Sequence, residues 1–287
     1  MKKKTKNVFL CGGFGNNLFQ IALGYYFEKK GYNVIYNTFF IEKGLIVKLL
    51  GWKIHDSSYT KKFLSQRKSA VKKNIGFCDF LFLVFAFAKK RISGNNFMVF
   101  KDCLYSENKK RYFGYWQKGD HLSHAVLDDL SKSIKIIFKK QCGLQGEKKF
   151  PDSVIHLRRG DFNKNRVLDI SYYKRAIGVV GDCKYLLISG ENIYGCFVSK
   201  ELGVEIIENK ESSFENDFCC MLNAKVLICS NSTFCFWAAQ LGHAEIIIYP
   251  DKLEEGKEWF FDFSKNNVHC VKSSFLSEKH SELGVNN

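Results

Sequence analysis

The hydrophobic pattern at the start of the chain predicts a strand, a tight loop and a helix. The apolar run Val8–Cys11 stops at the glycine-rich segment Gly12–Asn17, and apolar residues then recur at helical spacing through Leu18–Phe27. The run Gly31–Tyr36 predicts a second strand. Because strand, helix and strand in this order form a βαβ unit, we expect a parallel sheet in this part of the chain.

In the second half of the chain, short apolar runs alternate with stretches compatible with helices. These runs are Val154–Leu157, Tyr185–Ile188, Val204–Ile207, Val226–Cys229 and Glu245–Tyr249. The alternation predicts a second, doubly wound α/β domain. We therefore predict two α/β domains, over residues 1–149 and 150–287, that face each other across a cleft. Ligands of such folds bind at the carboxyl ends of the strands.

Residues 75–88 form an almost entirely apolar segment. The segment contains Asp79 and is followed directly by Lys89–Arg91. A membrane-spanning helix needs ~20 apolar residues, so these fourteen do not span a bilayer. Two interpretations stay open: a helix buried in the core, or a helix lying in a membrane interface beside its basic cluster.

The composition excludes several classes of protein. A chain that is 46% hydrophobic and 15% aromatic is not disordered. Eleven cysteines is an odd number, and no CxxC or Cys/His spacing typical of a zinc site occurs. The N-terminus lacks the apolar stretch of a signal peptide. We therefore interpret four cysteines that lie among apolar residues as reduced residues of the core: Cys11, Cys183, Cys196 and Cys229. Reduced cysteines predict a cytoplasmic protein.

Charge is unevenly distributed between the two halves. Residues 1–150 contain 29 basic and 10 acidic side chains (+19), whereas residues 151–287 contain 15 and 19 (−4). A strongly basic half indicates an anionic partner: nucleic acid, a phospholipid surface or a phosphorylated acceptor. The alternative is a solvated, lysine-rich surface.

Two segments of the second half contain candidate chemistry. In the first, an apolar strand ends in His156, Arg158, Arg159 and Asp161. Alternation places His156 and Arg158 on one face of the strand, and arginine forks suit a diphosphate. The alternative is an exposed strand end with an incidental Arg–Asp pair.

The second segment is a buried strand, then a polar turn, then a helix that stops near Gly242. The polar turn is Ser230, Asn231, Ser232 and Thr233. Ser and Asn are strong N-caps, and a helix N-terminus with nearby hydroxyls suits an anion. The alternative is a plain capped helix.

These segments, with two from the first half, resemble a known family. The resemblance lies, in the family's order, in Gly12–Ala22, Gly114–Gln117, His156–Asp161 and Ser230–Ala239. The chain is similar to the α-1,2-fucosyltransferases, the group of the bacterial O-antigen and blood-group H-type enzymes. It departs from the family pattern at Asn17, where Gln is usual, at Gly190–Asn192, where Asp-Asp is common after Ser, and at Phe236, where Trp is more frequent.

The resemblance implies a GT-B fold with two Rossmann-like domains, of which the C-terminal one binds GDP-β-L-fucose and the N-terminal one mainly the acceptor. It implies transfer of L-fucose, with inversion, to the 2-hydroxyl of a galactose or similar sugar in a surface-glycan repeat unit, free or lipid-linked. It implies no metal and no other cofactor. A lipid-linked acceptor and the basic half together predict a position at the inner face of the cytoplasmic membrane. Other linkages, such as α-1,6, and a basic nucleic-acid-binding protein are the alternatives, and no nucleic-acid-binding motif occurs.

The same resemblance, with the residue chemistry, assigns roles to individual positions. The residues expected to bind the donor are His156, Arg158, Arg159, Ser230, Asn231, Ser232 and Thr233. Those expected to line the cleft are Gly13, Gly15 and Asn16, with Glu191 near a sugar hydroxyl. Asp161 is the candidate base for the acceptor hydroxyl; the alternative is that it only orients the arginines.

Overall fold

The computed structural model divides into two compact units, Met1–Ile137 and Phe138–Asn287. The residues that it describes are 3–43, 48, 56–66, 70–84, 108–117, 119–138, 151–158, 166–181, 183–189, 195–209, 212–254, 257–258 and 267–276. Both units combine helices with a parallel sheet, which confirms the prediction of two α/β domains. The predicted boundary at 149/150 stays a prediction, because residues 139–150 lie outside the described ones.

The first unit contains a four-stranded parallel sheet in the order β3-β2-β1-β4. Its strands are β1 (Thr5–Phe9), β2 (Asn33–Asn37), β3 (Ala70–Lys72) and β4 (Arg111–Phe113). Its helices are α1 (Phe14–Lys29), α2 (Phe39–Glu42), α3 (Ser58–Ser65), the described residues 77–84, a 3₁₀ turn (Asp120–Leu122) and α4 (His124–Ile137).

Helix α1 lies against this sheet at a glycine. A Cβ atom on Gly24 would overlap the Tyr36 ring of β2, so only glycine allows this close approach. The Tyr36 hydroxyl donates to the Ile21 carbonyl of α1 at 3.3 Å. The predicted βαβ unit is therefore present, with its helix packed tightly on its second strand.

The second unit contains a six-stranded parallel sheet in the order β12-β9-β8-β5-β6-β7. Its strands are β5 (Ser153–Leu157), β6 (Tyr185–Ser189), β7 (Ile206–Glu208), β8 (Val226–Ile228), β9 (Ile246–Pro250) and β12 (Val268–Val271). A short antiparallel pair, β10 (Lys252–Glu254) and β11 (Lys257–Glu258), lies apart from that sheet.

The helices of the second unit begin at side-chain caps where the sequence offers Ser or Asp. They are α5 (Ile170–Val180), α6 (Gly195–Leu202), α7 (Phe214–Asn223) and α8 (Thr233–Leu241). Asp169 caps α5, Ser213 caps α7 and Ser232 caps α8, each accepting a bond from an amide of the first turn. The buried face of α5 packs with the central strands to form the core of this unit.

Both sheets contain a point where the strand order reverses. In the first unit the reversal falls between β1 and β4, and in the second it falls between β5 and β8. Loops on the two sides of such a point leave in opposite directions and open a crevice at the carboxyl ends of the strands. Each sheet thus has one position at which its topology favours a ligand.

The apolar segment 75–88 is described as far as residue 84. Its helical residues 77–84 bury Asp79 and Leu83 but expose Phe77 and Phe80. The described part is therefore not a fully buried core helix. Among the helices of the described residues, none is long and apolar enough to cross a membrane.

Candidate functional site

In the second unit, the ends of β5 and β8 are joined by side-chain hydrogen bonds. Nδ1 of His156, on β5, and Oγ of Ser230, after β8, are bonded at 2.7 Å, and both residues are buried. Just beyond them, Nη1 of Arg158 donates to Oγ of Ser232 at 2.7 Å. The two segments that the sequence singled out separately therefore meet at the strand-order reversal.

Helix α8 begins at this meeting point. Oγ of its cap, Ser232, accepts from the backbone N–H of Phe234 at 3.2 Å as well as from Arg158. The first turn of a helix carries amide groups without partners in the helix and the positive end of its dipole. The bond to Ser232 thus holds a guanidinium beside a helix N-terminus, and both favour an anion.

The Asn231 side chain holds the turn after β8 in place and is not exposed to the solvent. Its Nδ2 donates to the carbonyls of Arg166 at 2.6 Å and Leu253 at 2.7 Å. Its Oδ1 is buried and has no hydrogen-bond partner among the described residues. The amide therefore holds two distant segments against the turn while one acceptor atom stays available.

Two tyrosines of α5 hold the backbone of both strand ends. The Tyr172 hydroxyl donates to the Cys229 carbonyl at 2.7 Å, and the Tyr173 hydroxyl donates to the His156 carbonyl at 3.4 Å. Both tyrosines are buried. The positions of His156 and of the turn after β8 are thus set by one helix, which makes the site rigid.

Asp217, in the first turn of α7, is a further charged group near His156 that the sequence analysis missed. Its carboxylate accepts from Asn209 Nδ2 at 2.6 Å and from Ser212 Oγ at 3.2 Å. Burial raises the pKa of Asp217, and these bonds and the nearby His156 offset that effect only in part. An acidic residue in the first turn of a helix is ordinary in a sequence, so only the fold reveals its proximity to His156.

Three predicted site residues lie outside the described residues: Arg159, Asp161 and Glu191. Their assigned roles stay predictions. Thr233, also predicted, is the first residue of α8 and is half-buried.

In the first unit, a buried network of amide side chains occupies the strand-order reversal. Gln20, on α1, accepts from the Cys11 N–H at 3.0 Å and donates from Nε2 to the Gly114 carbonyl at 2.9 Å. Asn17 donates to the Cys11 carbonyl at 3.0 Å and accepts from the Thr60 hydroxyl at 2.8 Å. The segments after β1 and β4 are thus joined through uncharged groups.

A second contact joins the segments after β1 and β4 on their more accessible side. Nε2 of Gln117 donates to Oδ1 of Asn16 at 2.9 Å, and both residues are half-buried. Of the two predicted glycines, Gly13 is the half-buried N-cap of α1, whereas Gly15 is buried in its first turn. Gln20 and Gln117 both belong to the motifs of the resemblance, so a signal for this network existed in the sequence.

The backbone at this position is strained. Trp116 has φ of +53°, in the left-handed region that residues other than glycine rarely adopt. Gly12 has φ of +78°, and a Cβ there would lie 3.0 Å from Asn16 Nδ2. Strain of this kind is concentrated at ligand-binding segments, because the surrounding contacts must hold it in place.

The model of glycosyl transferase family 11 matches residues 15–255, a span that includes β4 and both strands, β5 and β8, of the second reversal. The chain belongs to glycosyl transferase family 11. This confirms the resemblance to the α-1,2-fucosyltransferase family that the four motifs indicated, and it identifies the chain as a fucosyltransferase.

Two solved structures resemble this fucosyltransferase only distantly. The glycosyl transferase family 9 protein from Veillonella parvula DSM 2008 is 9% identical, with a TM-score of 0.44 over 94% of this chain and 86% of that one. POFUT1, in its complex with GDP, is 13% identical, with a TM-score of 0.35 over 82% of this chain and 93% of that one. At these scores neither likeness adds to the fold described above. No curated protein is significantly similar to the fucosyltransferase in sequence.

Proposed function

We propose that this fucosyltransferase moves L-fucose from GDP-β-L-fucose to the 2-hydroxyl of a galactose, or a similar sugar, in a surface-glycan repeat unit. The observation that carries the proposal is the pair of bonds His156–Ser230 and Arg158–Ser232 at the start of α8. It supplies a guanidinium, two hydroxyls and a helix N-terminus in one rigid place. We infer that the diphosphate of the donor binds there.

The chemistry of the leaving group explains why such a site is useful. Breaking the bond from fucose to the diphosphate leaves negative charge on GDP, and fixed positive groups lower the barrier by stabilising that charge. We propose that Arg158, Arg159 and the first turn of α8 do this without a metal. Ser230 and Ser232 are buried and bonded to His156 and Arg158, and we propose that they position these two groups at the diphosphate.

Direct displacement of GDP by the acceptor hydroxyl inverts the configuration at the sugar carbon and requires a base. We propose Asp161 as that base. It follows the two arginines by two residues, which supports a position close to the diphosphate. The alternative role, in which Asp161 only orients the arginines, predicts a different mutant phenotype, given in the Discussion.

We propose a GT-B arrangement in which the first unit receives the acceptor. The reversal between β1 and β4 is lined by amides and is followed by the half-buried Tyr115, whereas the neighbouring Trp116 is buried. Neutral sugars are bound by amide hydrogen bonds and by aromatic faces, whereas a diphosphate needs cations. The residue chemistry of the two reversals therefore supports the division into acceptor and donor units, with Asn16 and Gly13 on the acceptor side and Glu191 as a contact to a sugar hydroxyl.

We propose a cytoplasmic location, peripheral on the inner face of the membrane. Eight cysteines of the described residues are free thiols, which suits a reducing compartment, whereas Cys219 is disulfide-bonded and is an exception. Of the four cysteines predicted to lie in the core, Cys11 and Cys229 are buried, but Cys183 is half-buried and Cys196 is exposed, so that prediction is wrong for these two. The basic first half suits an anionic surface. A lipid-linked acceptor would be available in that place.

The experiment is an assay of purified protein with GDP-fucose and a panel of β-galactosides in the presence of EDTA. We expect fucosylated product whose linkage, determined by NMR, is α-1,2. GDP-mannose serves as the control donor and should give no product. An α-1,6 product would overturn the linkage, and loss of all activity in EDTA that Mg²⁺ restores would overturn the metal-free mechanism.

A further inference from the structure

The helical residues 77–84 carry an apolar stripe that faces away from their own unit. The side chains of Phe77, Phe80, Leu81 and Val84 are 76%, 51%, 50% and 49% exposed. Their spacing, i, i+3, i+4 and i+7, places all four on one face of a helix. A stripe with this spacing normally faces the protein core, so its exposure requires a partner.

The opposite face is fixed to the sheet by an ionic cluster. Asp79 accepts from Arg111 Nε of β4 at 2.7 Å, from Lys72 Nζ of β3 at 2.9 Å and from Asn7 Nδ2 of β1 at 3.3 Å. Burial by itself raises the pKa of Asp79, but Arg111 and Lys72 outweigh burial and lower it, so the carboxylate stays charged at neutral pH. Because three strands hold Asp79, the helix cannot roll to bury its apolar stripe.

The charge around the helix defines the chemistry of the partner. Residues 67–91 contain seven basic side chains and one acidic one. The single acidic group is Asp79, whose charge is compensated by Lys72 and Arg111. In the sequence, the stripe therefore lies between basic residues, of which those in 67–69 and 89–91 lie outside the described residues. Large apolar side chains flanked by basic ones are the composition of helices that lie in the interface of anionic membranes.

We propose that Phe77, Phe80, Leu81 and Val84 insert into the headgroup region of an anionic phospholipid bilayer and form the membrane contact of this protein. The proposal decides between the two interpretations of residues 75–88 in favour of the interfacial helix. It rests on the peripheral location proposed above but not on the identity of the donor or the acceptor.

The test is flotation with vesicles made of equal parts phosphatidylglycerol and phosphatidylcholine, beside vesicles of phosphatidylcholine alone. We expect the wild type to bind the anionic vesicles and to bind less as salt increases, because salt screens the basic side chains. The double variant Phe77→Ser, Phe80→Ser should bind them roughly tenfold more weakly or worse, because two large apolar groups no longer leave water. The matched control is Ile136→Ser, on α4, where a 64% exposed apolar residue lies outside the stripe; it should bind like the wild type.

A second variant keeps the test valid if the serine substitutions disturb folding. Phe77→Trp preserves the apolar surface. When anionic vesicles are added, its tryptophan fluorescence should shift to shorter wavelength, and this shift should be larger than that of the wild type. Three results would overturn the proposal: no vesicle binding by the wild type at low salt, equal binding by the double variant, or self-association without lipid that the double variant loses. That last result would assign the stripe to a second copy of the chain.

The same variants separate this proposal from the proposed function. With a soluble β-galactoside, the double variant should turn over like the wild type, because the stripe belongs to neither strand-order reversal. If fucosyl transfer itself is absent, the vesicle results still decide the membrane contact. If transfer occurs but vesicles are ignored, only the membrane contact fails.

Discussion

The two strand-order reversals have the same topology and opposite chemistry. Between β5 and β8 the strand ends are joined by His156, Arg158 and serine hydroxyls at the start of a capped helix. Between β1 and β4 they are joined by the amides of Gln20 and Asn17. The α1 cap at that second place is Gly13, which supplies no side-chain hydrogen bond.

This difference shows that topology determines where a site forms but not which ligand the site suits. Parallel strands and a reversal of their order bring the loops together in both units. The side chains at the strand ends then determine whether the place suits an anion or a neutral ligand. The following predictions test that division, from the largest expected effect to the smallest.

The largest effect is expected at Asp161, the residue proposed to act between donor and acceptor. Asp161→Asn keeps the size of the side chain but removes its basicity, so kcat should fall by roughly 10²–10⁴ while GDP affinity stays nearly intact. Initial rates and calorimetry with GDP on the same protein measure the two quantities. If Asp161 only orients the arginines, both should fall together, and normal turnover would exclude either role.

The next effect tests the amide network of the first unit. Gln20→Leu leaves the Cys11 N–H and the Gly114 carbonyl without their buried partner, so the free energy of unfolding should fall by about 2–4 kcal/mol. Urea titration measures this, with the exposed Gln66→Leu as the control that should change little. GDP affinity should be retained at temperatures where the variant is folded; its loss would mean that the two reversals are not chemically separate.

Two carboxylates, the buried Asp79 of the first unit and the half-buried Asp217 of the second, should respond to pH in opposite directions. The pKa of Asp79 is lowered, so its contribution to stability is present above its unfolded pKa of about 4 and is lost as pH falls through the folded value. Asp79→Asn should therefore cost about 1–3 kcal/mol at pH 7, because Lys72 and Arg111 lose their counter-ion, and much less in acid. Unfolding measured between pH 3 and pH 7 tests this, and an equal cost across that range would contradict it.

Asp217 supplies the opposite case and the smallest effect. Burial raises its pKa, so the stability that the protonated carboxyl contributes is present below the unfolded pKa and is lost as pH rises through the folded one. Asp217→Asn removes a penalised charge and should leave stability at pH 7 unchanged or raise it by up to about 1 kcal/mol. The same titration measures it. A destabilisation as large as that of Asp79→Asn would contradict the assigned direction.

The sequence predicted the central strands well because their burial leaves a continuous apolar run. The run Val154–Leu157 matches β5, and Tyr185–Ile188 matches β6, each within one residue. At the sheet edge the run Val204–Ile207 begins two residues before the observed β7 (Ile206–Glu208) and ends one residue before it, since pairing with β6 rather than apolar content sets the limits of that strand. Edge strands β3 and β12 were not predicted for the same reason.

The resemblance assigned both motifs to one donor site, but the sequence did not predict the hydrogen bonds that join them. His156 and Ser230 are 74 residues apart, and only the reversal of strand order joins them. Asn231 also binds the carbonyls of Arg166 and of Leu253 in β10, and no pattern in the sequence predicts these two contacts. The position of Asp217 beside His156 likewise follows from packing of α7 and not from any local pattern.

The central claim is that the reversal between β5 and β8 binds the donor diphosphate, and calorimetry with GDP on Arg158→Lys tests it most directly. A lysine keeps the charge but cannot reproduce the planar fork, so we expect a loss of roughly 1.5–3 kcal/mol, which is about 10- to 150-fold in affinity. Arg175→Lys is the matched control, because Arg175 is an exposed arginine of the same unit that binds the Lys272 carbonyl, away from the reversal. It should bind GDP like the wild type. GDP affinity unchanged in Arg158→Lys, or reduced equally in both variants, would contradict the assignment of the donor site.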